Sequence, residues 1–354
     1  MPLNITHLSQ LLDPAFDTVI DVRSPAEYDE DHLPGAINLP ALSNDERARI
    51  GTIYKQVAPF EARKAGAALV ARNVAHHLEA ALADKDGGWM PLVYCWRGGQ
   101  RSGSFAAILS QIGWRAETIK GGYQTYRRLV QRSLYDDPLP HRFILLDGYT
   151  GTAKTALLPL LAARGAQVID LEGLAGHRGS LLGRLPDGQP SQKAFETALA
   201  AALAALDPTR PVVVEAESSK IGAINLPPQL WAGMTAAPRI DVQAPLSARA
   251  AFLARAYADI AADPAEVKDR IAPLRHLRGH AIVDKWEALV AAGDKEAFAA
   301  AIMQDHYDPA YAKSRNIDDR KMLGTVQTDR LDADGRTALA DRIMPLILGF
   351  DVDT

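Results

Sequence analysis

The chain has 354 residues, a formal net charge of −4 and one cysteine, and this length suits two domains of about 100 to 200 residues each. One cysteine excludes an intrachain disulfide and a zinc site with several cysteine ligands, and the charge excludes a general polycation but not a local basic face for RNA. The first residues lack a leader pattern and no apolar run reaches the ~18 residues that span a bilayer, so we expect a soluble cytoplasmic protein with no membrane partner.

Strand and helix patterns alternate at the start of the chain. Apolar runs predict strands at 18–23, within 32–40, at 91–94 and at 114–119, and helical patterns begin at 25 and cover 59–82 and 104–112. A basic helix with Arg127 and Arg128 follows, and 136–140 is typical of a linker. Strands separated by helices predict a parallel sheet covered on both faces, in a first domain over residues 1–135.

The lone cysteine lies in a glycine-rich loop between the strand at 91–94 and the next helix. A thiol there faces unpaired backbone N–H groups and the positive end of the helix dipole, which favour the thiolate. The simpler interpretation is a small buried cysteine that closes a strand, but the glycines and arginines of the loop favour a catalytic thiolate. The candidates are Cys95 as the catalytic residue and Arg97, Gly98, Gly99, Arg101 and Ser102 as oxyanion-binding residues.

A second alternating unit begins with the strand 143–147 and the loop 148–155, followed by a helix at 156–163. This order is typical of a phosphate-binding loop, in which backbone N–H groups hold phosphate oxygens. Ala153 stands where the usual pattern has its last glycine, and a tight strand-to-helix turn with an exposed lysine is the alternative. The diphosphate-binding candidates are Gly148, Thr150, Gly151, Lys154 and Thr155.

Two later segments of this unit carry polar candidates. The strand predicted at 211–217 ends in carboxylates, and the glycine-rich stretch 170–180 is predicted to be a loop; such loops hold ligand contacts at the strand ends of parallel sheets. Solvated carboxylates and an ordinary surface histidine are the alternatives. We expect a second domain over 140–245, in which the alanine-rich helix 194–206 only packs. The candidate substrate or Mg²⁺ contacts are His177, Arg178, Glu215 and Glu217, and no residue is assigned as a certain metal ligand.

From residue 246 onward the pattern is mainly helical, with interleaved basic and aromatic residues. We expect a helical extension over 246–354 that packs on the second domain. Basic helices with aromatic residues suit an RNA backbone and unstacked bases, although a solvated charged face over an apolar core fits equally well. The candidates for binding this RNA are Arg127, Arg128, Arg275 and Arg278.

The ordered motifs of the chain resemble a known family. Residues 21–28 (DVRSPAEY) and 32–38 (HLPGAIN) are similar to the signature of the rhodanese fold, and Cys95 lies where that fold keeps its catalytic cysteine. Together with the phosphate loop, four further segments resemble the tRNA 2-selenouridine synthase family: 94–99 (YCWRGG), 171–180 (LEGLAGHRGS), 215–222 (EAESSKIG) and 306–311 (HYDPAY). The implied fold class is α/β, an N-terminal rhodanese-like parallel-sheet domain followed by a P-loop NTPase-like domain with a helical C-terminal extension.

The resemblance implies an enzyme that replaces sulfur by selenium in the 2-thiouridine at the tRNA wobble position, through an S-geranylated intermediate. The co-substrates would be geranyl diphosphate at the phosphate loop and selenophosphate at the Cys95 loop, with no tightly bound cofactor and Mg²⁺ as a candidate. Cys95 would be the nucleophile in selenium transfer. The segment 51–66 would help enclose the prenyl chain. The implied partners are tRNA and an enzyme that makes selenophosphate.

Two other classes of function stay open. A cysteine-dependent sulfurtransferase or phosphatase would use only the first domain, and the spacing of Cys95 and Arg101 also resembles that of cysteine phosphatases. A nucleotide-dependent kinase would use the phosphate loop and keep the rhodanese module as a docking surface.

Overall fold

Two parallel β-sheets organise the chain, one in each of two units. The computed structural model describes residues 2–11, 15–180, 182–258, 263–315 and 321–352. Met1–Pro138 and Pro190–Ala205 form the first unit, and Leu139–Gln189 and Leu206–Thr354 form the second. Residues 190–205 therefore belong with the first unit, whereas the sequence analysis placed them inside a second domain over 140–245.

The first unit contains a four-stranded sheet in the order β2-β1-β3-β4, with every strand pair parallel. Its elements are β1 (Thr18–Asp21), α1 (Pro25–Glu30), β2 (Ile37–Asn38), α2 (Asn44–Gln56), α3 (Pro59–Glu79), β3 (Pro91–Tyr94), α4 (Gln100–Ile112), β4 (Glu117–Thr118) and α5 (Gly122–Gln131), followed by a π-helical turn at Arg132–Asp136. Val93 and Phe105 lie in the core and are fully buried. β3 is buried along its whole length, and Cys95 is the first residue after its end.

The second unit contains a five-stranded parallel sheet in the order β11-β10-β5-β7-β6 and a separate hairpin, β8-β9. The elements that follow α5 are β5 (Phe143–Asp147), α6 (Lys154–Ala162), β6 (Gln167–Ile169), α7 (Leu171–Leu174), α8 (Gln192–Ala204, in the first unit), β7 (Val212–Glu215), β8 (Lys220–Ile221), β9 (Ile224–Asn225), α9 (Pro228–Ala236), β10 (Arg239–Gln243), α10 (Leu246–Ala256), α11 (Pro264–Ile271), α12 (Arg275–Arg278), α13 (His280–Ala291), α14 (Lys295–Ile302), α15 (Asp308–Arg315), β11 (Met322–Gln327) and α16 (Ala333–Val352). β5 lies at the centre of this sheet, so the loop that follows it emerges at the middle of the strand-end edge.

The predicted fold class is confirmed, and three local elements differ from the sequence analysis. The stretch predicted as a loop at 170–180 begins with the one-turn helix α7, because the Asp170 side chain accepts a hydrogen bond from the Gly173 N–H and caps it. α2 was not predicted. The mainly helical C-terminal region also supplies β11, an unpredicted strand that pairs with β10 along five residues.

A buried ion pair explains the Asp-Val-Arg motif at residues 21–23. The Arg23 guanidinium lies 2.6 Å from the Asp21 carboxylate, and both side chains are almost fully buried. Arg23 also donates to the Asp31 carbonyl at 2.5 Å and lies 4.0 Å from the centre of the Tyr123 ring. These contacts fix the turn between β1 and α1, which positions Glu27 for the site described below.

Within the described part of the chain, no helix combines the length and apolar character that a membrane crossing requires.

Candidate functional site

The Cys95 loop connects β3 to the N-terminus of α4. The Cys95 side chain is 3% exposed, and its Sγ lies 3.2 Å from the Oγ of Ser102, in the first turn of the helix. The start of α5 fixes the loop, because the N–H groups of Tyr123 and Gln124 donate to the carbonyls of Cys95 and Trp96 at 2.9 and 3.1 Å. The strand, the helix and α5 together hold the sulfur in one position.

The environment of Cys95 favours its ionised form. Burial alone would raise the pKa of the thiol, but hydrogen bonds from the Ser102 side chain and backbone and the charge of Arg101 outweigh it. The pKa of Cys95 therefore lies below its usual value. This agrees with a thiolate at a helix N-terminus.

A cavity of about 490 Å³ opens in front of Cys95. Its lining includes three arginines, Arg47, Arg97 and Arg101, together with Gly99. Arg101 donates to the Glu27 carboxylate at 2.8 Å, and Arg47 lies 2.9 Å from the same carboxylate. Three cations against two glutamates leave the pocket net positive, which suits a small anion such as a phosphate derivative.

Gly98 and Ser102 do not line the cavity in front of Cys95. Gly98 has a φ of +63°, and a Cβ there would meet the Ile119 carbonyl oxygen at 2.5 Å, so glycine lets the loop pack against the chain before α5. Ser102 is fully buried behind Cys95. The predicted oxyanion contacts of these two residues stay predictions, and the structure gives them a role in shaping and polarising the loop.

The segment 51–66 lies beside the same loop. Ile50, Tyr54 and Val70 line a cavity of about 500 Å³ that also reaches Arg101 in the first turn of α4. Ala62 and Gly66 complete its mainly apolar wall. The expectation that this segment encloses a prenyl chain stays a prediction, and the wall has the apolar character that it requires.

The phosphate loop lies between β5 and α6, and Ala153 adopts the conformation of the glycine it replaces. Its φ is +65°, in the left-handed region, and it is 5% exposed. Lys154 opens α6, and its Nζ donates to the Gly148 carbonyl at 2.9 Å, across the loop. Thr150, Gly151, Lys154 and Thr155 line a cleft of about 560 Å³. Gly148 is not among these lining residues, and a Cβ there would meet the Val242 carbonyl oxygen at 2.5 Å, so the residue packs closely against β10.

Three glutamates meet at Thr155. The Thr155 hydroxyl lies 2.8 Å from the Glu172 carboxylate and also contacts Glu215. One carboxylate oxygen each from Glu172, Glu215 and Glu217 lie within 4.8 Å of one another. Since one hydroxyl proton cannot serve two carboxylates, one of these contacts needs a shared proton or a cation. Carboxylate and hydroxyl oxygens are ligands that Mg²⁺ prefers.

These glutamates hold protons near neutral pH. Burial, followed by the charge of Glu217, raises the pKa of Glu172 to about 7. Burial and the charge of Glu172 raise that of Glu215 to about 8. Burial also raises the pKa of Glu217 to about 7, although the Lys154 charge opposes it. A divalent cation would replace these protons and relieve the repulsion.

Aromatic and basic residues from the C-terminal region form hydrogen bonds with the phosphate loop and with the end of β5. The Tyr311 hydroxyl donates to Asp147, at the end of β5, and lies 3.4 Å from the Gly148 nitrogen. Arg249 is 7% exposed, donates to the Thr150 carbonyl at 3.1 Å and pairs with Asp308 at 2.8 Å. The region after residue 246 therefore completes the phosphate site.

His177 and Arg178 have different positions. Arg178 lines the cleft, and its guanidinium lies 5.3 Å from the Tyr257 ring centre. His177 does not line it. Burial, then the charges of Arg270 and Arg184, lowers the pKa of His177. The predicted substrate contact of His177 stays a prediction, and the structure places the residue outside the lining of the cleft.

Three of the four candidate tRNA contacts are occupied within the protein. Arg127 pairs with Glu196 and is 13% exposed. Arg275 binds Asp284 and Glu287 at 2.5 and 2.6 Å. Arg278 donates to His306 at Nδ1 and at its carbonyl, both at 3.0 Å. The predicted tRNA contacts of these three arginines stay predictions, since each guanidinium group also has partners within the protein, and Arg128 is the exposed member of the set.

The sequence analysis missed several residues of the two sites: Glu27, Arg47, Glu172, Arg249 and Tyr311. Glu172 and Tyr311 lie within motifs that carry the family resemblance, so their position in those motifs was an available signal. Arg47 and Arg249 lie on helices without a motif. Only the packing of those helices brings them to the sites.

The comparisons with known proteins match both units. A model of the rhodanese-like domain matches residues 5–129, and a model described as the tRNA 2-selenouridine synthase AAA domain matches residues 141–277. A tRNA 2-selenouridine synthase from Hahella chejuensis is 33% identical over 330 residues, which cover 83% of this chain and 84% of the relative. One from Chromohalobacter salexigens is 36% identical over 262 residues, 73% of this chain and 70% of the relative.

Proposed function

The chain belongs to the tRNA 2-selenouridine synthase family, and we propose that it replaces the sulfur of 2-thiouridine at the tRNA wobble position by selenium. The observation that supports this most directly is that one chain carries two chemically different sites. The first is a thiolate in a cationic cavity, and the second is a phosphate loop beside three carboxylates.

The phosphate loop takes geranyl diphosphate in this proposal. The sulfur of 2-thiouridine attacks C1 of the geranyl group, a sulfur–carbon bond forms, the carbon–oxygen bond breaks and diphosphate leaves. Lys154 and the backbone N–H groups of the loop stabilise the negative charge that develops on the leaving group. Thr155, Glu172, Glu215 and Glu217 are the residues that fit Mg²⁺, which would supply positive charge beside the diphosphate when bound.

The Cys95 cavity takes selenophosphate, with Arg47, Arg97 and Arg101 as its anion contacts. Overall, the S-geranylated uridine, selenophosphate and water yield 2-selenouridine, geranylthiol and phosphate. In this reaction the Cys95 thiolate attacks the phosphorus of selenophosphate, the phosphorus–selenium bond breaks and selenide leaves. Selenide attacks C2 of the uridine and displaces geranylthiol, and water hydrolyses the phosphorylated cysteine to phosphate and the free thiol. The apolar cavity lined by Ile50 and Tyr54 holds the geranyl group during this exchange.

Mass spectrometry of wobble nucleosides tests the proposal. The purified protein is incubated with 2-thiouridine tRNA, geranyl diphosphate, selenophosphate and Mg²⁺. We expect 2-selenouridine with the natural chain and with the control Lys85→Ala. Lys154→Ala should leave 2-thiouridine unchanged, whereas Cys95→Ala should stop at the geranylated nucleoside.

Unchanged 2-thiouridine with the folded natural chain would contradict the proposal. Turnover of thiosulfate or a phenyl phosphate that Cys95→Ser abolishes would then favour a sulfurtransferase or phosphatase. Nucleotide binding that falls in Lys154→Ala would favour a kinase.

A further inference from the structure

A second, narrow cavity lies beside the cleft at the phosphate loop, within the same unit. The cleft has a volume of about 560 Å³ and the narrow cavity about 40 Å³. The two share five lining residues, Thr150, Ser180, Leu253, Tyr257 and Tyr307. The two cavities therefore adjoin at these residues, so the narrow cavity lies next to a ligand held at the loop.

The wall of the narrow cavity is apolar. Leu253 and Ala254 come from α10, Val267 from α11, and Phe298 and Ile302 from α14. Among the described residues that line it, only Lys295 is charged, and it lies in the first turn of α14. Apolar surface of this kind favours hydrocarbon over a group that needs hydrogen bonds.

The Tyr257 hydroxyl and the Arg178 guanidinium, at and beside the boundary, are paired within the protein. The Tyr257 hydroxyl lies 3.0 Å from both the Arg178 carbonyl oxygen and the Ser180 Oγ. The Arg178 guanidinium donates to the Ala256 carbonyl at 3.2 Å. A hydrocarbon that covers this boundary removes no hydrogen bond from these groups, so its burial carries little polar cost.

We propose that the narrow cavity binds the hydrocarbon tail of a prenyl diphosphate whose diphosphate lies in the phosphate loop. This rests on the proposed function of that loop. By the rule that one water needs roughly 10–15 Å³ of such space, the cavity accepts about three water-sized groups. The branched end of a prenyl chain, a carbon with two methyl groups, is of that size. A nucleoside would instead bring a polar base and ribose against the apolar wall.

Calorimetric binding with the full chain and Mg²⁺ tests the proposal. The ligands are inorganic diphosphate, dimethylallyl diphosphate, geranyl diphosphate and ADP. We expect geranyl diphosphate to bind at least about tenfold more tightly than inorganic diphosphate or dimethylallyl diphosphate, because its second isoprene unit buries additional apolar surface.

Variants at Ala254 localise the tail. Ala254 lines the narrow cavity but not the phosphate cleft, so Ala254→Phe should remove the preference for geranyl diphosphate and leave the affinity for inorganic diphosphate unchanged. Ala254→Leu should have a smaller effect in the same direction and covers the case in which phenylalanine prevents folding. Ala232→Phe, at an exposed position of α9, is the matched control and should bind like the natural chain.

The outcomes separate this proposal from the one on which it rests. The tail site is overturned if the natural chain binds inorganic diphosphate as tightly as geranyl diphosphate. It is also overturned if both Ala254 variants keep the preference for geranyl diphosphate, or if ADP binds more tightly. If the natural chain binds neither diphosphate, the assignment of the phosphate loop fails as well.

Discussion

The Sγ of Cys95 lies 3.2 Å from the Oγ of Ser102, a residue that is itself fully buried. Ser102 does not line the cavity in front of the sulfur, so it acts on the reaction through Cys95. Its hydroxyl stabilises the thiolate against the opposing effect of burial, and the pKa of the thiol falls. Ser102 is therefore a positioning residue.

Replacement of Ser102 by alanine should raise the pKa of Cys95. Because Cys95 is the only cysteine, the pH dependence of iodoacetamide alkylation reports on this thiol alone. The midpoint of the rate profile should move to higher pH in Ser102→Ala. Ser110→Ala, at an exposed position on the same helix, should leave it unchanged. An unmoved midpoint in Ser102→Ala would show that other groups stabilise the thiolate.

Substitutions at the adjacent residues Arg127 and Arg128 should have different effects on the free energy of unfolding and on tRNA binding. Arg127→Ala breaks the pair with Glu196, which is 2% exposed, and leaves a buried carboxylate. It should lower the free energy of unfolding by about 3 kcal/mol, measured in urea. Arg128→Ala should change stability by less than about 0.5 kcal/mol but weaken tRNA binding and reduce its salt dependence. Equal loss of tRNA affinity in both folded variants would contradict this separation and show that Arg127 also contacts tRNA.

The sequence predicted both parallel sheets because apolar strands and helices alternate in it, and it predicted the two reactive loops because each joins a buried strand to a helix. It did not predict α2, because none of the residues of this helix is buried and its sequence therefore lacks the apolar spacing of a core-facing helix. It also missed β11, because this strand follows a run of helices that ends with α15 (Asp308–Arg315) and does not lie in an alternating unit.

The sequence could not predict which residues form ion pairs or hydrogen bonds with its charged side chains. An arginine on a basic helix has the same local pattern whether it faces tRNA or a glutamate on a distant segment. Arg127 and Glu196 are separated by 69 positions, and only the folded chain joins them. The same holds for Arg249, which reaches the Thr150 carbonyl from 99 positions away.

Ala153 should be replaceable by glycine with a gain in stability. Its φ of +65° costs an alanine about 1–2 kcal/mol, whereas the extra freedom of glycine in the unfolded chain costs about 0.5–1 kcal/mol. Ala153→Gly should therefore stabilise the chain by about 0.5–1 kcal/mol in urea unfolding. The matched change Ala163→Gly, where φ is −61°, should destabilise it by a similar amount. Loss of stability in Ala153→Gly would contradict the left-handed conformation.

Mg²⁺ should stabilise the chain more at high pH than at low pH. The folded pKa values of Glu172, Glu215 and Glu217, about 7 to 8, exceed the usual value of 4.5. Between these values the folded chain binds more protons than the unfolded chain, so stability falls as pH rises through about 7 to 8. Once the carboxylates are ionised, they repel one another and bind a cation without first releasing protons.

Thermal unfolding at pH 6 and pH 8.5, with and without Mg²⁺, measures this coupling. At pH 8.5, Mg²⁺ at 100 times its Kd should add about 3 kcal/mol to the stability of the folded form, and at pH 6 the same concentration should add less. Glu172→Gln removes one charge, so it should raise the midpoint at pH 8.5 without Mg²⁺ and reduce the gain on adding it. Glu79→Gln, an exposed glutamate on α3, should behave like the natural chain. An equal Mg²⁺ effect in Glu172→Gln would place the cation away from this cluster.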